Sequence, residues 1–238
     1  MHGVIVGVSG GDLASTATLN EYAIKRTGKE HPHVLFIPTA SNDAEGYIEN
    51  IQRYYQGLEC TVSALCVVTE KYEKEEIDNM INDADLIYIG GGDTEQMIEI
   101  WKEYGIDKLV QKAYIDGKVL TGISAGTISW FSYGFSDSDY FKNPESWDYK
   151  FVKCLGLFPY AICPHYNEEG RNRFDDRIKD LGIDGIALEN DTAIIIENNH
   201  MYIKKAREDA RAYLFKNNGG VYQKIQLTNE TFTIKTNI

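Results

Sequence analysis

Gly122-Ile123-Ser124-Ala125-Gly126 follows a short apolar run, Lys118-Val119-Leu120-Thr121, and leads into a helix-compatible stretch from Thr127 to Phe131. This is the layout of a nucleophile elbow, in which a sharp strand-to-helix turn exposes a serine hydroxyl. Glycines flank such a turn because side chains there would run into the neighbouring backbone, while the serine itself is held in strain. G-x-S-x-G alone also describes ordinary turns and helix caps. Its weight here comes from a second glycine cluster, Gly90-Gly91-Gly92-Asp93-Thr94, which ends another apolar run, Leu86-Ile87-Tyr88-Ile89. Two glycine-rich strand ends in one chain suggest one crevice, and the chemistry they permit is acyl transfer.

A serine hydroxyl needs a base within hydrogen-bond reach and a further group that fixes the tautomer of that base. Of the five histidines, His2 is terminal, His31 and His33 flank Pro32, and His200 lies in an Asn-Asn-His turn. His165 ends an apolar run, Ala161-Ile162-Cys163-Pro164, which puts it at the same sheet edge as Ser124. Candidate acids are Asp137 and Asp139, which lie between serine and histidine in the chain, and Glu189, which ends the run Gly185 to Leu188. The oxyanion would take the backbone N–H of Ala125 and one from Gly90 to Gly92. The alternative use of the glycine cluster is a phosphate cradle or a helix start capped by Thr94, but no lysine follows in P-loop spacing. Arg171, Arg173 and Arg177 follow His165 and could pair with a carboxylate, although arginine on a solvated helix face is the default.

These groups need a scaffold, and the chain alternates strand-like and helical runs. Strands are read at Val4 to Val8, His33 to Pro38, Cys60 to Val67, Leu86 to Ile89 and Val119 to Gly122, with helical stretches between them. This is the rhythm of a three-layer α/β domain, a mostly parallel sheet with helices on both faces. Ligands of such sheets bind outside the carboxyl ends of the strands, where both glycine clusters fall. Tyr133 to Tyr149 reads as a long loop over the site, Glu168 to Leu181 as a charged helix, and the last third as short antiparallel hairpins. Residues 1–238 are expected to form one domain.

The 24 basic and 36 acidic residues give a net charge of −12, which argues against nucleic acid or an anionic membrane as partner. Cys60, Cys66, Cys154 and Cys163 sit in or beside apolar runs without a C-x-x-C pair, as reduced core cysteines do. The N-terminal apolar run reads as a first strand, not a signal peptide, and no segment has the length of a membrane span, so a cytoplasmic location is expected. No cofactor or metal site is expected, since no histidine pair occurs at helical spacing. With 16 tyrosines and 3 tryptophans, the surface leaves room for a homodimer face.

Taken together, Gly90 to Thr94, Gly122 to Gly126, Pro164-His165-Tyr166-Asn167 and, more loosely, Gly185 to Ala193 resemble the dipeptidase E and cyanophycinase family of serine peptidases, whose fold is similar to class I glutamine amidotransferases. The motifs occur in family order and span most of the chain. The resemblance implies Ser124 as nucleophile, His165 as general base, and the backbone of Gly92 and Ala125 as oxyanion hole. The dipeptidase E pattern implies Asp139 as the acid, whereas the cyanophycinase pattern implies a glutamate after the histidine, towards Glu189. The stretch Trp130 to Asp139 departs from the dipeptidase pattern. The expected function is hydrolysis of small peptides, aspartyl dipeptides among them, through an acyl-enzyme. The alternatives are a non-catalytic binding domain on the same scaffold and an acyl hydrolase with a non-peptide substrate.

Overall fold

The computed structural model describes residues 2–228 and 231–237 of the chain. Five apolar strands, β1 (Val4–Val8), β2 (His33–Ile37), β3 (Thr61–Ala64), β4 (Leu86–Ile89) and β5 (Val119–Ile123), pair in parallel in the order β1-β5-β4-β2-β3. Parallel neighbours need long crossovers. These are supplied by α1 (Ala17–Arg26), α2 (Glu45–Gln56), α3 (Lys74–Asp83) and the successive α4 (Thr94–Tyr104) and α5 (Ile106–Ile115).

Side chains alternate across a strand, and the two faces of this sheet are both apolar. Val4, Val6 and Val8 bury against Leu19 and Ala23 of α1 and Ile51 and Tyr55 of α2. Ile5, Leu35, Ile37, Ile87 and Ile89 face the other way and pack with Ile77, Met97, Trp101 and Val110 from α3 to α5. The three-layer α/β architecture read from the sequence is therefore the one observed.

The remaining strands are β6 (Phe131–Ser136), β7 (Lys150–Lys153), β8 (Phe158–Cys163), β9 (Gly185–Leu188), β10 (Thr192–Glu197), β11 (His200–Lys205), β12 (Ala212–Asn218), β13 (Val221–Gln226) and β14 (Phe232–Thr233). Among the described residues, β10, β11 and β14 extend the first sheet antiparallel beyond β1, and the others form a second sheet in the order β13-β12-β9-β8-β6-β7. The expected C-terminal hairpins exist as β10–β11 and β12–β13, but they are divided between two sheets, and β9 pairs in parallel with β8. One core cluster joins the sheets, since Phe131, Tyr160, Ile162 and Ile186 pack with Ile5, Leu120 and Ile194.

Three local readings change. The stretch expected as a long loop from Tyr133 holds most of β6 and the short α7 (Ser138–Lys142), because Phe131 and Phe135 are both fully buried, Phe131 in the core that joins the sheets and Phe135 against Tyr149 and Phe174, with a register shift after Phe131. The elbow helix, α6, is only Ala125–Ile128, since the chain turns into β6 at Phe131. The charged helix expected from Glu168 begins instead after Gly170, whose φ of 80° stops a helix there. It consists of α8 (Phe174–Arg177) between two 3₁₀ turns. No helix among the described residues is long and apolar enough to cross a membrane.

Candidate active site

Ser124 sits between β5 and α6 with φ 53° and ψ −112°, a strained backbone for a residue with a Cβ. The strain persists because its surroundings fix it. Ser124 N–H donates to the Val8 carbonyl at 3.1 Å, and Thr127 Oγ1 donates to the carbonyls of Val8 and Gly122 at 2.6 and 2.9 Å. Both elbow glycines are close approaches: a Cβ on Gly126 would stand 2.3 Å from the Ile89 carbonyl oxygen, and one on Gly122 would stand 2.8 Å from the Gly126 carbonyl carbon.

His165 reaches this serine from the other sheet. It follows β8, with φ 54°, and its N–H donates to Ser9 Oγ at 2.8 Å while that hydroxyl donates to the Leu188 carbonyl at 2.7 Å. The ends of β1, β8 and β9 are thereby tied together. Nε2 of His165 lies 2.8 Å from Ser124 Oγ, so the structure brings together the two residues singled out from the Ser124 and His165 motifs.

The far nitrogen of the ring meets residues that sequence reasoning did not single out. His165 Nδ1 lies 2.8 Å from Asn190 Oδ1 and 3.2 Å from Glu168 Oε1, and Asn190 Nδ2 donates to the same Glu168 oxygen at 2.9 Å. Two acceptors around Nδ1 keep the proton there, so Nε2 presents its lone pair to the serine hydroxyl. The hydrogen bond to His165, helped by that from Asn190, holds the Glu168 carboxyl down to about 2. Gly10 makes room for the group, because a Cβ there would lie 2.2 Å from both Asn190 Oδ1 and His165 Nδ1.

The acids expected from the sequence are engaged elsewhere. Asp139 Oδ1 pairs with Lys150 Nζ at 2.6 Å, Asp137 Oδ2 accepts from Arg171 Nη2 at 3.1 Å, and Glu189 Oε2 accepts from the Arg211 N–H at 2.9 Å. Asp139 and Asp137 lie on the segment leaving β6, which runs to α4 and β7 rather than to the ring. The signal available for Glu168 was its place three residues after His165, in a turn closed by the Glu168 N–H on the His165 carbonyl at 2.8 Å.

On the oxyanion side, the Ala125 N–H opens α6 and has no carbonyl of its own helix to bond. Gly91 stands against Ser124, with its Cβ position 3.3 Å from Ser124 Cβ. Gly92 takes φ 138° because its Cα presses on Ala40, where a Cβ would meet the carbonyl oxygen at 2.0 Å. Asp93, rather than Thr94, caps α4, with its carboxylate accepting from the N–H groups of Glu95 and Gln96 at 3.0 and 3.2 Å.

The arginines after His165 are structural. Arg171 is buried, donates to the Phe135 carbonyl at 2.8 Å and covers the Tyr149 ring, while Arg173 and Arg177 both pair with Asp148. All four cysteines are free and buried, and burial pushes the thiols of Cys154 and Cys163 up to about 12. Among the described residues no group of three or more His, Cys, Asp or Glu could hold a metal ion.

The sequence profile of Peptidase family S51 matches residues 5–204. The chain is 31% identical over 216 residues to the "Uncharacterized peptidase YgaJ" of Bacillus subtilis (strain 168), covering 88% of this chain and 90% of that one. It is 27% identical to "Peptidase E" of Shewanella denitrificans over 56% of this chain and 53% of that protein. The crystal structure of a peptidase from an acI-B1 Actinobacterium superimposes with a TM-score of 0.73 at 20% identity, covering 98% of this chain and 97% of the other, which shows a shared fold. With the match spanning both sheets and every residue of the Ser124 and His165 motifs, the chain belongs to peptidase family S51.

Proposed function

We propose that this protein is a serine peptidase of small peptides, with Ser124 as nucleophile, His165 as general base and acid, and Glu168, assisted by Asn190, orienting the imidazole. The observation that carries this reading is the 2.8 Å contact between His165 Nε2 and Ser124 Oγ, made by a serine held at φ 53°. A hydroxyl in that position gives up its proton to Nε2 as Oγ bonds to the scissile carbonyl carbon.

The electron pair of the carbonyl moves to its oxygen, where the N–H groups of Ala125 and Gly92 receive it. Collapse of the tetrahedral intermediate breaks the C–N bond, and the leaving amine takes the proton from Nε2. Water then enters, passes a proton to Nε2 and attacks the acyl-enzyme, which releases the acid and restores Ser124. Glu168 stabilises the imidazolium in both halves and stays ionised throughout.

The test is hydrolysis of a dipeptide panel by wild type and Ser124→Ala purified in parallel. Serine-dependent cleavage with an unchanged fold is the expected result. Activity that survives in Ser124→Ala would overturn the assignment.

A further inference from the structure

Three of the four N–H groups from Gly90 to Asp93 already have acceptors. Gly90 donates to the Ile37 carbonyl at 3.1 Å, Gly91 to the Tyr47 hydroxyl at 3.4 Å and Asp93 to the Ala40 carbonyl at 2.8 Å. Among the described residues the Gly92 N–H has none, which leaves it for an oxyanion. The Ala40 oxygen that takes the Asp93 N–H also lies so close to Gly92 that a Cβ there would stand 2.0 Å from it. One carbonyl thus fixes both the Gly92–Asp93 peptide and the φ of 138° at Gly92.

Ala40 lies in a turn with a strained backbone. After Pro38 comes the 3₁₀ turn Thr39–Ser41, followed by Asn42 and Asp43 with φ 55° and 53°, two successive left-handed residues that both carry a Cβ. Such a turn persists only where its surroundings fix it. Two ties run to α4, where Trp101 Nε1 donates to Thr39 Oγ1 at 3.2 Å and Gln96 Nε2 donates to Asn42 Oδ1. A third runs away from the site, to the stretch between β3 and α3. There Asp43 Oδ2 accepts from the N–H groups of Val68 and Thr69 at 2.7 and 3.0 Å and from Thr69 Oγ1 at 3.4 Å.

Resting on the serine-peptidase reading, we propose that Asp43 is a positioning residue for the oxyanion hole: its carboxylate pins the turn after β2, so that the Ala40 carbonyl holds Gly92 with its N–H aimed at the charge developing on the substrate oxygen. Asp43 acts through Ala40 and Gly92 and touches no reacting atom. Its effect belongs to the transition state, because an N–H donor in this place gains strength only as the carbonyl oxygen becomes an anion.

Stability alone does not account for this carboxylate. Asp43 is 5% exposed, its Oδ1 is buried with no partner among the described residues, and burial pushes the carboxyl up. A charge held this way costs the fold more than a neutral group making the same bonds. Asparagine would keep the acceptor oxygen without the charge, and it too tolerates a left-handed backbone.

The experiment compares wild type, Ser124→Ala, Asp43→Asn, Asp43→Ala and Asp43→Gly. Asp43→Gly removes the carboxylate while relieving the positive φ, so it keeps the fold even where alanine at this position does not. On a dipeptide that wild type cleaves, Asp43→Gly should lose about 10- to 100-fold in kcat, up to the cost of misplacing a catalytic group by about 1 Å, with KM within about threefold. Asp43→Asn should restore kcat to within about threefold of wild type, since its amide oxygen accepts the same bonds. The Asp93 amide, followed by NMR, should exchange with deuterium at least about tenfold faster in Asp43→Gly than in wild type, while the amides of β4 and β5 do not change.

Wild-type kcat in Asp43→Gly, or a loss in KM alone, overturns the positioning role and, with Ser124 still required, leaves the serine mechanism standing. Equal losses in Asp43→Asn and Asp43→Gly overturn it too, as does unchanged exchange at Asp93. If no dipeptide is cleaved, inactivation by diisopropyl fluorophosphate supplies the kinetic reading: Ser124 Oγ bonds to phosphorus, its proton passes to His165, fluoride departs and the P=O oxygen takes the oxyanion's place. Slower inactivation of Asp43→Gly than of Asp43→Asn and wild type supports the role, and equal rates overturn it. A wild type that neither cleaves nor is inactivated overturns the serine reading and this role together.

Discussion

Asn190 bridges Glu168 to the His165 ring: its Nδ2 donates to Glu168 Oε1 at 2.9 Å, while its Oδ1 lies 2.8 Å from His165 Nδ1. The same carboxylate oxygen also faces Nδ1 at 3.2 Å, so amide and acid share one proton of the ring. Asn190 is itself fixed, with its N–H on Asn167 Oδ1 at 2.8 Å. A half-exposed glutamate thus gains a defined position from a neutral neighbour, which matters because orientation of the base, not proton uptake by the acid, is what a third member contributes.

Glu168→Gln should therefore lower kcat by about 10²- to 10⁴-fold, comparable to loss of the acid in serine triads. Asn190→Ala should cost less, since Glu168 still faces Nδ1. Asp139→Asn, which breaks only an exposed pair with Lys150, should leave kcat within about threefold, as such pairs are worth ~0–1 kcal/mol. A steady-state comparison of the three variants ranks them, and a larger loss from Asp139→Asn than from Glu168→Gln would return the acid to the segment after β6.

The pH dependence of stability carries the same assignment. The Glu168 carboxyl is lowered from 4.5 to about 2, chiefly by the hydrogen bond to His165, so its contribution is complete above the unfolded value and disappears as pH falls through that window. Urea unfolding of wild type and Glu168→Gln between about pH 6 and pH 2 should show wild type losing the more stability on the acid side. Parallel curves for the two proteins would mean that Glu168 is not held by His165 in solution.

Gly10→Ala tests the packing behind the ring. The added methyl would fall 2.2 Å from both His165 Nδ1 and Asn190 Oδ1, so the ring must move off Ser124 or the loop must shift. Since a misplacement of about 1 Å costs on the order of 10²-fold in rate, kcat should drop at least that far while the far-ultraviolet circular dichroism stays native. Retained activity would show that the loop after β1 yields instead.

Much of this was legible in the sequence, for reasons that are themselves physical. Strands β1, β2, β4 and β5 are buried on both faces, so each appears as a continuous apolar run, and the glycine clusters at two of their ends mark where backbone must approach backbone. Ser124 and His165 could be paired because each ends such a run. Glu168 could not be separated from other surface acids, since its role depends on a turn at φ 54° that brings it back to the ring it follows. Asn190 reaches the site only because β9 lies parallel to β8, a pairing that hairpin-like spacing does not announce. The segment after Phe131 was hidden because its polar residues obscured the burial of Phe131 and Phe135.

Arg171 shows why the basic residues after His165 should be judged by burial. It is 3% exposed and holds the Phe135 carbonyl and Asp137 together, whereas Arg173 is 60% exposed and pairs with Asp148. Removing one partner of a buried pair costs about 3–5 kcal/mol, because the other is left uncompensated. Asp137 is 34% exposed and can recruit water, so Arg171→Ala should lie near the lower end, at about 3 kcal/mol. Arg173→Ala should cost below about 1 kcal/mol, as an exposed pair does. Denaturant unfolding of both variants measures the difference, and near-equal losses would mean that the segment from β6 into α7 is held by its aromatic packing on Tyr149 and Phe174 rather than by Arg171.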